Sequence, residues 1–118
     1  MADEIAITVR LAFSKSGAKV SRTENINVDV TGDAFTHEVQ SVGTSEEELA
    51  QGADLGTPGY LFLKNLDATN YVEVGSTTGV YDIKLLAGEV AIYRHNSATV
   101  YAKANSAACL VEYILAEA

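Results

Sequence analysis

The sequence predicts an all-β fold, a single-domain antiparallel β-sandwich of jelly-roll-like topology spanning residues 1–118. Three observations lead there. From Gly59 to Leu115 the chain runs through GYLFLKNL, NYVEVG, GVYDIKLL, EVAIYRH, ATVYAKA and AACLVEYIL, short apolar stretches separated by small polar turns. Residues 4–14 alternate with period two, Ile5, Ile7, Val9, Leu11 and Phe13 on one face and Thr8, Arg10 and Ser14 on the other. An apolar share of 47% in 118 residues suits one domain with one core and argues against disorder.

Taken in order, the alternation of residues 4–14 predicts a half-buried first strand. Lys15-Ser16-Gly17 reads as a turn, because glycine enters positive φ without steric cost. A second strand spans Ala18 to Val30, with Ile26, Val28 and Val30 inward and a polar first half, Ser21-Arg22-Thr23-Glu24, suited to a sheet edge. After a turn at Thr31-Gly32-Asp33, Phe35 to Val42 forms a weaker strand. Its phase slips between Val39 and Val42, which a bulge would explain.

Ser45-Glu46-Glu47-Glu48 carries a helix-start signature, with Ser45 as N-cap and Glu48 reaching back. Gly52 and Gly56 follow, so one short helical turn near 45–50 is expected, inside the long connection 43–58 that Pro58-Gly59 closes. Tyr60 to Leu66 is apolar on both faces and reads as a central strand. Asp67-Ala68-Thr69-Asn70 reads as a hairpin turn, Asp67 bonding backbone N–H groups ahead of it. Strands follow at Tyr71–Val74, Val80–Leu86, Val90–Arg94, Thr99–Ala104 and Ala107–Leu115. A tip lies at Gly75-Ser76-Thr77-Thr78-Gly79, and Gly88 is expected at positive φ. The total is eight or nine strands.

The composition narrows function. A net charge of −8 opposes binding to a phosphate backbone, so no nucleic-acid partner is expected. The acidic opening and the lack of any apolar run of about 20 residues lead us to expect no signal peptide, no transmembrane segment and synthesis in a cytoplasm. One cysteine, Cys109, allows no internal disulfide. His37 and His95 stand apart without metal-ligand spacing, and no base adjoins Cys109 in sequence to stabilise a thiolate. Three consecutive acids, Glu46 to Glu48, do not match a calcium loop, and Gly-Thr-Pro-Gly lacks the lysine of a phosphate loop. No catalytic residue, metal or cofactor is therefore assigned. The tyrosines, one per late strand, suit either a half-buried pleated surface or a docking face.

The stretch from Gly43 onward, about two thirds of the chain, carries a resemblance. GTSEEELAQG, TPGYLFLKNLDATNYVEVG, KLLAGEVAIYR and TVYAKANSAACLVEYIL resemble small structural proteins of tailed bacteriophages and marine viruses, in their Pro-Gly strand, N-L-D turn, GE turn and closing strand pair. The resemblance implies a virion component, a capsid cement or decoration protein on the major capsid protein, and supplies no catalytic residues. It also implies a homo-oligomer, the trimer being a form such proteins take, located in the virion. A tail or head–tail connector component is the alternative within a virion. A carbohydrate-binding module on a fibre or spike is the alternative of another class, although the chain has no tryptophan for a stacking platform. Predicted exposure selects the protein-contact candidates: Ala2, Asp3 and Glu4, then Glu46, Glu47 and Glu48, then Ser76, Thr77 and Thr78.

Overall fold

The computed structural model describes residues 4–117, which form ten β-strands and no helix. Contacts divide the chain into two compact units, Met1–Thr31 and Gly32–Ala118.

The first unit is a hairpin. Strands β1 (Ile5–Lys15) and β2 (Ala18–Val28) pair antiparallel over their full length, from Ile5 opposite Val28 to Lys15 opposite Ala18. Ser16 and Gly17 turn the chain at φ values of 51° and 89°, the two consecutive positive values of a type I′ turn, whose twist matches that of the flanking strands. With 11 residues in each strand, the ribbon is about 36 Å long. The expected half-burial fails along its distal half. Val9, Leu11, Phe13 and Val20 are all exposed, Leu11 at 73%. The period-two pattern reports which residues share a face, and only a covering layer decides whether that face is buried.

The second unit is a sandwich of two four-stranded antiparallel sheets. One contains β3 (Phe35–Val42), β10 (Cys109–Glu117), β5 (Pro58–Asn65) and β8 (Val90–Arg94), adjacent in that order. The other contains β4 (Glu47–Glu48), β9 (Tyr101–Ala104), β6 (Val72–Gly75) and β7 (Ile83–Leu85). Counted within this unit alone, the strands run first, eighth, third, sixth in one sheet and second, seventh, fourth, fifth in the other. That is the double Greek-key order of a jelly roll.

Alternation fills the space between the sheets. Leu61 and Leu63 of β5, Val111, Tyr113 and Leu115 of β10 and Val42 of β3 meet Val72 and Val74 of β6, Leu85 of β7 and Ala102 and Ala104 of β9 in one core. Each large side chain fully buried there is worth roughly 1.5–3 kcal/mol. Tyr113 is buried with its hydroxyl donating to Ala50 O at 2.7 Å, so its polar end is satisfied.

Four local expectations change. The short helical turn near 45–50 is absent. Glu47 and Glu48 pair with Ala102 and Tyr101, and Leu49 N donates to Val100 O at 2.9 Å. The extended path buries Leu49 in the core, and that burial outweighs the local preference of three glutamates for a helix start. Strand β3 has no bulge; its register with β10 is unbroken from Phe35–Ala116 to Val42–Cys109, and the irregularity lies at Ala116/Glu117 against β5. The inward face of β3 is the one carrying Thr36, Gln40 and Val42, so Phe35 and Val39 face out. Asp67–Asn70 is not a hairpin turn: β5 and β6 belong to different sheets, so the chain crosses the sandwich there. The described strands number ten because β4 joins the expected set. Tyr60 to Leu66 does yield a central strand, β5, and Gly88 does take positive φ, at 79°.

The crossover is fixed by Asn65, which is fully buried. Its Nδ2 donates to Asn70 O at 2.9 Å and to Leu85 O at 3.1 Å, while its Oδ1 accepts from Asp67 N at 3.0 Å. Replacing Asn65 with alanine strands those partners in a dry site. We expect Asn65→Ala to lower unfolding free energy by about 2–4 kcal/mol in urea denaturation, several times the effect of Asn105→Ala at an exposed turn.

Candidate functional site

The contact candidates are not equivalent once folded. Ala2 and Asp3 lie outside the described residues. Glu4 Oε1 accepts the backbone N–H of Val30 at 3.0 Å, at the base of the hairpin.

Glu46 and the tip Ser76–Thr78 come together. The Glu46 carboxylate accepts from the hydroxyls of Thr78 and Tyr81 and from Gly79 N, the last at 2.7 Å. The tip is closed on itself by Val80 N donating to Thr77 O at 3.0 Å. Gly75 makes this folding possible. A Cβ there would stand 1.9 Å from Val80 O, so the strand end admits only glycine at that approach. Glu47 is committed inward too, its Oε2 accepting Gly43 N at 2.8 Å and its Oε1 accepting Gln40 Nε2 at 2.9 Å. Glu48 is exposed. Its cross-strand neighbour Tyr101 also pairs with Gly75, so Glu48 and the tip occupy the same end of the β4–β9–β6–β7 sheet.

Chemistry at this end is structural. Three donors, the Thr78 hydroxyl first and then Tyr81 and Gly79 N–H, hold the Glu46 carboxyl below the usual glutamate range. The Tyr81 phenol, donating to that carboxylate, is pushed up to about 12. The turn at Asp67 behaves alike: its Oδ2 accepts Asn70 N at 2.6 Å and Thr69 N at 2.9 Å, and these bonds lower its pKa. The Asx turn read in the sequence is therefore present, although it serves a crossover.

The remaining titratable candidates are similarly occupied. His95 is buried, with Nε2 at 2.7 Å from Thr99 O. His37 Nε2 lies 2.9 Å from Glu112 Oε2 on the outer face of the first sheet. Burial, with the charge of Asp67 behind it, pushes the Cys109 thiol up, away from the reactive thiolate. Among the described residues no group of three or more His, Cys, Asp or Glu side chains is placed to hold a metal ion. Three tyrosine faces are taken by cations: Arg94 over Tyr60 at 4.5 Å, Lys84 over Tyr71 at 4.2 Å and Lys103 over Tyr81 at 5.8 Å. No described helix is long and apolar enough to cross a membrane.

Sequence reasoning overlooked a different surface, the outer face of the β3–β10–β5–β8 sheet. Phe35, Val39, Val90 and Ile92 are exposed on it at 68%, 54%, 55% and 39%. Half-buried Tyr60, Phe62 and Ile114 lie in the rows Phe35–Ala116–Tyr60–Arg94 and His37–Ile114–Phe62–Ile92, and the next row, Val39–Glu112–Lys64–Val90, sets Glu112 and Lys64 between the two valines. The available signal was the run of Tyr60 to Leu66, apolar on both faces, which marks a strand with hydrophobic surface on each side.

Because the folded carboxyl of Glu46 titrates below its unfolded value, its stabilising contribution is complete above the ordinary glutamate pKa and is lost as pH falls through the lowered folded value. An NMR titration should therefore show the Gly79 amide resonance moving only below the usual glutamate range. In Glu46→Gln that transition should vanish; a transition that persisted in the variant would detach the tip from this carboxylate. No protein-family model, no curated protein and no solved structure matches the chain.

Proposed function

We propose that this protein is a virion structural component, a cement or decoration protein that binds the outside of a major capsid shell and braces neighbouring subunits. The observation that carries the reading is the exposed apolar face of the β3–β10–β5–β8 sheet, with Phe35, Val39, Val90 and Ile92 in the open on a packed sandwich. Exposed apolar surface of this kind marks a docking face. The jelly-roll strand order supports it by analogy, since capsid domains use that order, as do lectins and cupins. The resemblance of the Gly43-onward segment to phage and marine-virus structural proteins points the same way. Repetition over a shell lets weak individual contacts add through multivalency.

The occupied tyrosine faces weigh against the carbohydrate-binding alternative. Sugar stacking needs an open aromatic plane, and cations lie over Tyr60, Tyr71 and Tyr81. Of the acidic contact candidates, Glu48 keeps the docking role beside the tip residue Thr77, since Glu46 and Glu47 hold local structure.

Quantitative mass spectrometry of purified particles tests the proposal. A cement protein is expected in copies on the order of hundreds per particle, following the repeated lattice, whereas a connector ring is held to about a dozen. Glu48→Lys with Thr77→Arg should reduce capsid occupancy without moving the melting temperature. Absence of the chain from purified particles would overturn the reading.

A further inference from the structure

The two margins of the sandwich are finished differently. Along β3 and β4 the connection 43–58 closes the gap between the sheets. Gln40 Nε2 donates to Glu48 O at 3.0 Å, Gln40 Oε1 accepts Ala50 N at 2.9 Å and the Thr36 hydroxyl accepts Gly52 N at 2.8 Å. Along β7 and β8 the gap stays open, as a cleft of about 610 Å³ between Ile83–Leu85 and Glu89–Ala91. Ile83, Ala91 and Tyr93 are only partly buried where the core ends there, and the buried Tyr93 hydroxyl has no hydrogen-bond partner among the described residues. Strand β8 is the last of its sheet. His95 N donates to Gly59 O and Asn65 N to Glu89 O, so in the β5–β8 register it is Ala91 and Tyr93 that bond β5. The N–H and C=O groups of Val90, Ile92 and Arg94 therefore point away from the sheet. Other edges are guarded: β4 and β7 are two and three residues long, and β3 carries Glu38 in its middle. Strand β8 has no proline, no bulge and one charge, Arg94, at its end.

We propose that β8 pairs antiparallel with β8 of a second copy of this chain, centred on Ile92, so that two four-stranded sheets become one continuous eight-stranded sheet. An alternating row of free N–H and C=O groups is complementary to another extended backbone, which makes the occupant a strand. The side chains make it this strand. An antiparallel copy centred on Ile92 sets Ile92 against Ile92, Val90 against Arg94 and Ala91 against Tyr93. Each small alanine meets a large tyrosine, each arginine stem lies along a valine, and no charge of the strand meets its like. The residues whose backbone groups are free, Val90, Ile92 and Arg94, face one another as hydrogen-bonded pairs. Ala91 and Tyr93 of each copy lie beside those of the other, along the open margin of the core. The nearest like charges across the junction, Lys64 and Arg94 of the second copy, stand two strands apart at about 10 Å, a full Debye length at physiological salt. Two chains of net charge −8 repel at longer range, so salt tightens the pair. An antiparallel edge pair maps onto itself under a two-fold axis and closes at two. The pairing uses the backbone edge and leaves the outer face of each sheet free, so it does not depend on the capsid reading.

Light scattering and residue-resolved amide hydrogen exchange on the isolated full chain, from micromolar to millimolar concentration, test the pairing. The chain should pass from monomer to dimer with concentration, and at lower concentration as salt rises. The amides of Val90, Ile92 and Arg94 should exchange at least about tenfold more slowly in the dimer, while those of β3 at the opposite edge stay unchanged. Ile92 is 39% exposed, so it accepts a charge without disturbing the core. Ile92→Lys and Ile92→Glu should each raise the dissociation constant by at least about tenfold, because position 92 then meets its own charge. An equimolar mixture of the two variants should recover association, since lysine then faces glutamate; recovery requires that position 92 faces itself. The exchange measurement uses the parent chain, which keeps the test decisive if a variant misfolds. A chain that stays monomeric, a trimer, edge amides indifferent to concentration, or a mixture that associates no better than either variant alone would each overturn the proposal.

Discussion

The buried amide of Asn65 ties the two sheets together, and the sandwich depends on that tie. An amide removed from water without partners costs several kcal/mol. One bond joins the two sheets directly, from Asn65 at the end of β5 to Leu85 O at the end of β7, while the bonds with Asn70 O and Asp67 N fix the connection that leads into β6. The backbone of the same residue adds two more, Asn65 N to Glu89 O and Gly88 N to Asn65 O, each at 3.0 Å. The chain's passage from one sheet to the other and its return are thus anchored at one residue. With that corner fixed, the alternation of β5 and β6 points Leu61, Leu63, Val72 and Val74 at each other, and the closing strand β10 completes the inner layer.

Polar side chains elsewhere follow the same economy. Carboxylates of Glu46, Glu47, Asp67 and Glu117 all accept from backbone N–H groups in connections, Glu117 serving Gly56 N at 2.8 Å. These loops lack regular ladders, so acidic side chains satisfy their donors instead. Part of the acidic composition is therefore structural. In the acidic connection Glu46 and Glu47 are held by local bonds and Glu48 is exposed.

Local chemistry was legible in the sequence, and long-range pairing was not. Gly17 and Gly88 sit at positive φ where turns were read, Asp67 makes its Asx turn, and β5 is central because both its faces are apolar. The acidic run misled because Ser45–Glu48 fits a helix start locally, while its fate was settled by Ala102 and Tyr101 across the sheet. The phase of β3 misled for a related reason. The slip between Val39 and Val42 suggested a bulge, yet the register is unbroken: the fold turns Phe35 and Val39 out and buries Thr36 and Val42, the Thr36 hydroxyl accepting Gly52 N at 2.8 Å. The meeting of Glu46 with Thr78, 32 residues away, has no local signature at all. Where an apolar residue faces out, sequence reasoning that sends apolar residues inward fails, and such failures concentrate on surfaces available to partners.

The Gly32–Ala118 unit has one core of its own, and the distal hairpin exposes Val9, Leu11, Phe13 and Val20. Residue-resolved amide hydrogen exchange on the full chain in dilute solution tests this contrast most directly. Leu61–Asn65, Val72–Val74, Ala102–Ala104 and Val111–Leu115 should exchange slowest and share one global opening, while Val9–Phe13 and Val20–Glu24 should exchange faster by about two orders of magnitude or more. Protection of the distal hairpin equal to that of β10, or separate release of β5 and β10, would contradict it.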